Sequence, residues 1–303
     1  MEDRPPGPAH HGSHGPTSSA GEQLWYARTA AELTSPADQL VLDVGCGEAL
    51  MAIELARVLP EKARIVALDS NPDVLGRAAA RIAEAGLTGR IDILTHDLDQ
   101  LDRVRETGSG ADLIWASASL HHVGDQQRVV TGLAELLADD GRLALAEGGL
   151  DERNLPWDVG VGEPGLELRL DAAQDRWFTR MRAELPGSVP MPYGWSTALR
   201  LAGLRDIVTT SALFEEPAPL TPAARSTVLS SLSHRVDRLT EAGLLDDADA
   251  RSWGLLLDQD DPAWLGHRED LFSLTARTLY VGRRVRTPAA AASSDRPATH
   301  PAP

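Results

Sequence analysis

Three aspartates and a histidine pair carry the chemistry that can be read from this chain. Asp43 lies in Val41-Leu42-Asp43-Val44-Gly45-Cys46-Gly47-Glu48, where an apolar run meets a tight Gly-Xaa-Gly turn. Asp69 stands 26 residues further on, at the end of Arg64-Ile65-Val66-Ala67-Leu68. Asp97 follows Ile91-Asp92-Ile93-Leu94 and is succeeded by Leu98. Carboxylates in such places can meet a cation or accept hydrogen bonds from sugar hydroxyls and amino groups, at roughly 1.5–3 kcal/mol for each charged hydrogen bond. His121 and His122 come after the run Ala111 to Ala116 and Ser117-Ala118-Ser119-Leu120. An imidazole titrates near neutrality and can take a proton from a nucleophile. Glu147, closing Gly141-Arg142-Leu143-Ala144-Leu145-Ala146, is a second proton-transfer candidate.

These residues must be held by strands alternating with helices. The glycine turn is followed by helical apolar spacing at Met51, Leu55, Val58 and Leu59, and the fifth strand is preceded by a helix through Val129, Leu133, Leu136 and Leu137. Strand, glycine turn and helix together build a nucleotide-sized crevice at the carboxyl edge of a parallel sheet. A carboxylate two residues before the first glycine suits an ammonium group and sits badly beside a pyrophosphate, which favours S-adenosylmethionine (SAM) over NAD. The NAD fingerprint also needs a glycine three residues after Gly47, where Leu50 stands. Taken alone, Asp69 could cap the helix starting at Pro72, Asp97 could be a loop acid, and the histidines could simply pack. Three acids ending three successive strands are harder to explain as turn chemistry.

The ordered set resembles the class I SAM-dependent methyltransferases, particularly the small-molecule branch that includes ubiquinone- and menaquinone-biosynthesis-type enzymes. The motifs that carry the resemblance are Leu42-Asp43-Val44-Gly45-Cys46-Gly47, Asp69, Asp97 and Leu120-His121-His122, and it covers about residues 23 to 150. It implies an α/β fold: a Rossmann-like, seven-stranded, mostly parallel sheet with the last strand antiparallel, flanked by helices. It implies a cofactor site of Tyr26, Asp43, Gly45, Cys46, Gly47, Asp69, Ser70, Asp97, Leu98, Ala116 and Ser117, with His121 and His122 as catalytic candidates and no metal. The family often has a third glycine two residues after Gly47. Ala49 stands here, placing a methyl group where the cofactor backbone is expected to pass. Trp25 and Tyr26, ahead of the first strand, are read either as a lid over the cofactor or as part of a helix docked at the domain edge.

Residues 21–150 are expected to form the SAM-binding core and 151–285 the substrate-side half of the same domain, between tails at 1–20 and 286–303 whose proline, glycine, serine and alanine content predicts disorder. His10-His11-Gly12-Ser13-His14 is read as part of the first tail rather than as a metal site. A helix near Ser196–Leu201 precedes a sixth strand at Asp206–Thr210, and the last strand is Ser273–Val281. Between these two strands, about 215–271, helical runs near Thr221–Ala242 and Ala248–Leu257 form a helical insertion, read as either a cap or a subunit interface, the second fitting a homodimer. The stretch Asp151–Trp195, rich in Trp, Pro and Gly, has no assigned element. Five of the seven tryptophans follow residue 150; with only three phenylalanines in the chain, most are read as core, the others as surfaces for a flat acceptor.

The formal charge of −16 argues against a nucleic-acid substrate. Asn154-Leu155-Pro156-Trp157 looks like the Asn/Asp-Pro-Pro-aromatic motif of amino-group methyltransferases, but it follows the fifth strand rather than the fourth and lacks one proline. Cys46, the only cysteine, cannot form a disulfide within the chain and fits a reducing cytoplasm. No secretory signal or membrane span is expected. The reading is a cytoplasmic methyltransferase acting on a small organic molecule; its alternative is a protein that binds SAM without methyl transfer, either cyclase-like or ligand-sensing.

Overall fold

Alternation of side chains along the strands decides which helices cover which face of the sheet. The computed structural model describes residues 20–285; apart from Ala20, the two expected tails and their histidine segment lie outside the described residues. In chain order the elements are α1 (Ala20–Leu33), β1 (Leu40–Val44), α2 (Leu50–Val58), β2 (Arg64–Asp69), α3 (Pro72–Glu84), β3 (Ile91–Thr95), α4 (Leu101–Gly108) and β4 (Ala111–Ser117). A 3-10 turn at Leu120–His122 leads to α5 (Gln126–Leu136), β5 (Leu137–Arg153), α6 (Leu166–Glu184), α7 (Trp195–Leu201) and β6 (Arg205–Glu216). The chain continues through α8 (Pro222–Glu241), α9 (Asp247–Leu257), a 3-10 turn at Leu265–His267 and β7 (Ser273–Arg283).

The seven strands form one sheet in the order β3-β2-β1-β4-β5-β7-β6, with β7 antiparallel to both neighbours. This is the expected architecture. Val41, Ile65, Ala67, Leu113 and Trp115 face a core shared with α1, α2 and α3. Their strand neighbours Leu42, Val44, Val66, Leu68 and Ile114 face a second core with α4, α5 and α7. Period two places Asp43 on the same face as Val41, toward α2.

A third apolar cluster lies apart from these two. Leu155, Val159, Leu166, Leu170 and Ala173 pack with Val228, Leu232, Leu239, Trp253 and Leu256. The helices between β6 and β7 therefore share their core with α6, a 19-residue helix in the stretch that sequence reasoning left unassigned.

Several local expectations change: β6 runs past Thr210 to Glu216, and Leu137 begins β5 instead of ending α5. Val58 is 43% exposed, because α2 stops there and extended Leu59 fills the buried slot instead. β5 runs well past Glu147 to Arg153, pairing with β7 along the extension. Of the later tryptophans, Trp253 is fully buried whereas Trp157 is 68% exposed.

Candidate active site

The glycine turn is set by backbone geometry. Gly45 has φ +65°, and a Cβ there would lie 2.3 Å from the Ser119 Cβ, so β1 and the loop after β4 can approach this closely only at glycine. At Gly47 (φ +54°) a Cβ would meet nothing within 4 Å, which leaves open space in front of the turn. Cys46 donates its amide to the Leu68 carbonyl at 2.9 Å, fastening the turn to β2. Burial pushes the Cys46 thiol far up, and the charges of Asp43 and Asp69 push it further, so the thiol stays protonated.

Ala49 adopts φ 61° and is fully buried in the core beside α2. Its methyl group therefore points into the protein interior, not into the path expected for a cofactor.

Asp69 is fastened at both oxygens. Oδ2 accepts the Gly47 amide and Oδ1 the Asn71 amide, each at 3.0 Å. Asn71, not Asp69, caps α3, accepting from Asp73 and Val74. The lone pairs left on the carboxylate can still accept. Exposed Ser70 follows. The Asp97 carboxylate accepts the Asp99 amide at 2.9 Å, closing a tight turn after β3, while the Leu98 side chain is buried in the second core.

Asp43 is 2% exposed and accepts the Ala52 amide of α2 at 2.9 Å. Burial pushes its carboxyl up to about 7; the Ala52 hydrogen bond opposes this and the nearby Asp69 charge adds to it. Asp43 thus sits beneath the turn rather than at its open lip.

Tyr26 is 6% exposed. Its ring lies 5.1 Å from Trp25 and 6.2 Å from Trp115, and Trp25 in turn meets Phe214 at 5.9 Å. These contacts dock the helix at the edge of the sheet, the second of the two readings of Trp25 and Tyr26. Burial holds the Tyr26 phenol above its usual range, opposed by Arg277.

The two proton-transfer candidates meet. His121 Nδ1 lies 3.0 Å from Glu147 Oε2, while Oε1 accepts the Ser119 and Leu120 amides at 2.8 Å each. Glu147 is 2% exposed, and one carboxylate thus organises the turn after β4 and aims one imidazole. A carboxylate accepts only, so Nδ1 carries the proton and Nε2 remains basic. The His122 ring lies tilted against His121, centre to centre at 4.1 Å. Ala116 is buried in β4, and Ser117 ends that strand.

Sequence reasoning missed the residues that cover this turn. On α6, Phe178 lies 5.6 Å from His121, and Arg182 donates to the carbonyls of His121 (3.0 Å), Val123 and Gly124 (3.2 Å). The signal was there in Leu166, Leu170, Ala173 and Trp177, spaced four, three and four apart. Among the described residues, no group of three or more His, Cys, Asp or Glu could hold a metal ion, and no helix is long and apolar enough to cross a membrane.

Comparison with known proteins follows the same boundaries. A family model described as a methyltransferase domain matches residues 41–141. An uncharacterized methyltransferase of Mycobacterium bovis is 36% identical over 108 residues, 35% of this chain and 49% of its own length. A ubiquinone biosynthesis O-methyltransferase of Xanthomonas axonopodis is 30% identical over 111 residues, 37% of this chain and 44% of its own. The chain thus spans about half the length of the curated relatives it matches. A candidate methyltransferase from Bacillus halodurans shares the fold, at 16% identity and TM-score 0.51, over 88% of this chain and all of its own. Together with the sheet order, these matches bear out the resemblance of residues 41–141 to the class I SAM-dependent methyltransferases.

Proposed function

We propose that this chain transfers a methyl group from SAM to a small organic acceptor. The observation that carries the reading is the rim itself. Asp69 is tied to Gly47, Asp97 follows two residues beyond Thr95, the β3 partner of Asp69, and open space lies in front of the Gly47 backbone. This rim fits a nucleoside whose ribose hydroxyls donate to Asp69 and whose adenine amino group donates to Asp97. Tyr26, Ser70, Leu98, Ala116 and Ser117 belong to the surrounding wall on the same reading. Asp43, beneath the turn, supplies negative potential toward a cationic ligand.

SAM supplies an electrophilic methyl group on a sulfonium. The chain's own work is alignment, which can lower a barrier by roughly 7–11 kcal/mol. With a hydroxyl acceptor, His121 Nε2 takes the hydroxyl proton as the new O–CH3 bond forms and the S–CH3 bond breaks. Glu147 fixes the ring orientation and the proton on Nδ1. This buried carboxylate–imidazole pair favours a transferase over a protein that only binds SAM. A small acceptor is supported by the strong negative charge, which opposes nucleic acid, and by the relative that serves ubiquinone biosynthesis. The single cysteine suits a reducing cytoplasm, and the helices between β6 and β7 are read as a cap or as a homodimer contact.

The test has two arms. Calorimetry should show SAM binding to the parent chain and a loss of at least about tenfold in affinity for Asp69→Ala, the size expected for losing charged hydrogen bonds. Incubation with a metabolite extract, read by mass spectrometry, should accumulate S-adenosylhomocysteine with a matching methylated product. SAM binding without that product would leave the ligand-sensing alternative standing, and undiminished affinity in Asp69→Ala would overturn the ribose assignment.

A further inference from the structure

In a chain of net charge −16, one place in the fold concentrates guanidinium groups. Arg153, at the end of β5, and Arg235 of α8 both pair with Asp171 of α6, Arg235 at 2.5 Å. Arg238, three residues further along α8, has no carboxylate among its described contacts. It donates to the Gln174 side-chain oxygen at 2.6 Å, and its guanidinium carbon lies 4.7 Å from the centre of the Trp177 ring. The Nε atoms of Arg235 and Arg238 are buried without a hydrogen-bond partner. Glu167, the other acid near Arg153, is occupied by the Asn154 and Leu155 amides, and its burial favours the neutral acid. Two of the three guanidiniums thus share Asp171 as counterion, and Arg238 meets only an uncharged oxygen and a ring. Burial, and then the charge of Arg235, hold the Arg238 pKa below its usual range.

The cluster is aligned with the histidine turn. Asp171, Gln174 and Phe178 recur on one face of α6, and Phe178 packs on His121. At about 1.5 Å per residue, Gln174 and Asp171 stand roughly 6 and 10 Å along the helix from Phe178, the span of a small organic molecule. The geometry points to an acceptor-recognition subsite: Arg235 and Arg238, the latter held against the Trp177 ring, bind a carboxylate or phosphate group of the methyl acceptor while its nucleophile reaches His121. Fork-shaped guanidinium pairs suit either anion. The assignment rests on the methyltransferase reading and deepens it by naming the acceptor as an anion.

The experiment uses the full chain saturated with S-adenosylhomocysteine and titrates 4-hydroxybenzoate, its neutral isostere 4-hydroxybenzamide, and inorganic phosphate by calorimetry. At least one of the two anions should bind about tenfold or more tighter than the amide, and which of them does so distinguishes carboxylate from phosphate. Arg238→Met should erase that preference and Arg238→Lys should restore part of it. Gln174→Glu, which places an internal carboxylate beside Arg238, should weaken the anion without removing a guanidinium; it serves also if Arg238→Met fails to fold. Equal binding of anions and amide, binding of neither anion, or an unchanged preference in the variants overturns the proposal. Affinity for S-adenosylhomocysteine is read separately: its absence defeats the methyltransferase reading, whereas its presence without anion preference defeats only this subsite.

Discussion

Glu147, within β5, and His121, in the turn that follows the neighbouring β4, meet at 3.0 Å, with the other Glu147 oxygen filled by the Ser119 and Leu120 amides. In Glu147→Gln the amide oxygen can keep those backbone bonds while its NH2 faces Nδ1, moving the imidazole proton to Nε2. Turnover should fall about 10- to 100-fold with SAM affinity within about twofold of the parent. Glu147→Ala should in addition lose about 2–4 kcal/mol of stability, because two buried amides lose their acceptor. Steady-state kinetics and denaturant melts check both, and parental turnover in Glu147→Gln would remove the orienting role.

A pH dependence follows from Asp43. Its carboxyl, held at about 7 by burial in the folded chain, has an unfolded value of about 3.9. Between those values the native state binds a proton that the unfolded chain has released. The contribution of this group to stability is therefore greatest below pH ~4 and declines as pH rises toward neutrality. Asp43→Asn should flatten that slope in melts between pH 5 and 8. A cationic ligand favours the carboxylate, so SAM affinity should rise with pH through the same range in the parent and lose that rise in Asp43→Asn. A flat parental profile would separate Asp43 from the cation.

The glycine turn gives a contrast between two small residues. Gly45→Ala meets both a left-handed backbone and a Cβ 2.3 Å from Ser119, and should cost about 2–4 kcal/mol. Ala49→Gly relieves a φ of 61° but gives up a buried methyl, so its stability should shift by less than about 1 kcal/mol. Because that methyl faces the core, SAM affinity should not change. Tighter binding by Ala49→Gly would place the methyl back in the cofactor's path.

Arg182→Met removes the donor shared by the carbonyls of His121, Val123 and Gly124. Hydrogen exchange should speed up across residues 119–124 and turnover should drop, with SAM binding retained. Unchanged exchange there would show that α6 does not hold the turn.

The half of the molecule that carries the glycine turn was legible because its strands are short apolar runs, each punctuated by an acid or a glycine. Val41–Val44, Arg64–Asp69 and Ala111–Ser117 announce themselves by composition alone. The second half was not. The fifth strand reads as closing at Glu147, yet it continues, and at Gly149 the backbone passes so close to Ala276 that a Cβ would fall 1.9 Å from its carbonyl oxygen. That is a tertiary reason for a glycine, with no local trace. α6 carried a periodic signal but was hidden between segments rich in Trp, Pro and Gly. The candidates Glu147 and His121 were each visible; their contact depends on the β4–β5 register, which no local pattern specifies.

α6 is gripped at two places eleven residues apart, by Arg153 and Arg235 at Asp171 and through Arg182 at the histidine turn. Over that length, about 16 Å, a helix behaves as a stiff rod. Its roll and slide are therefore geared to the imidazole: an occupant that displaces the far grip must either turn the rod, and with it Phe178 against His121, or unfasten Arg182.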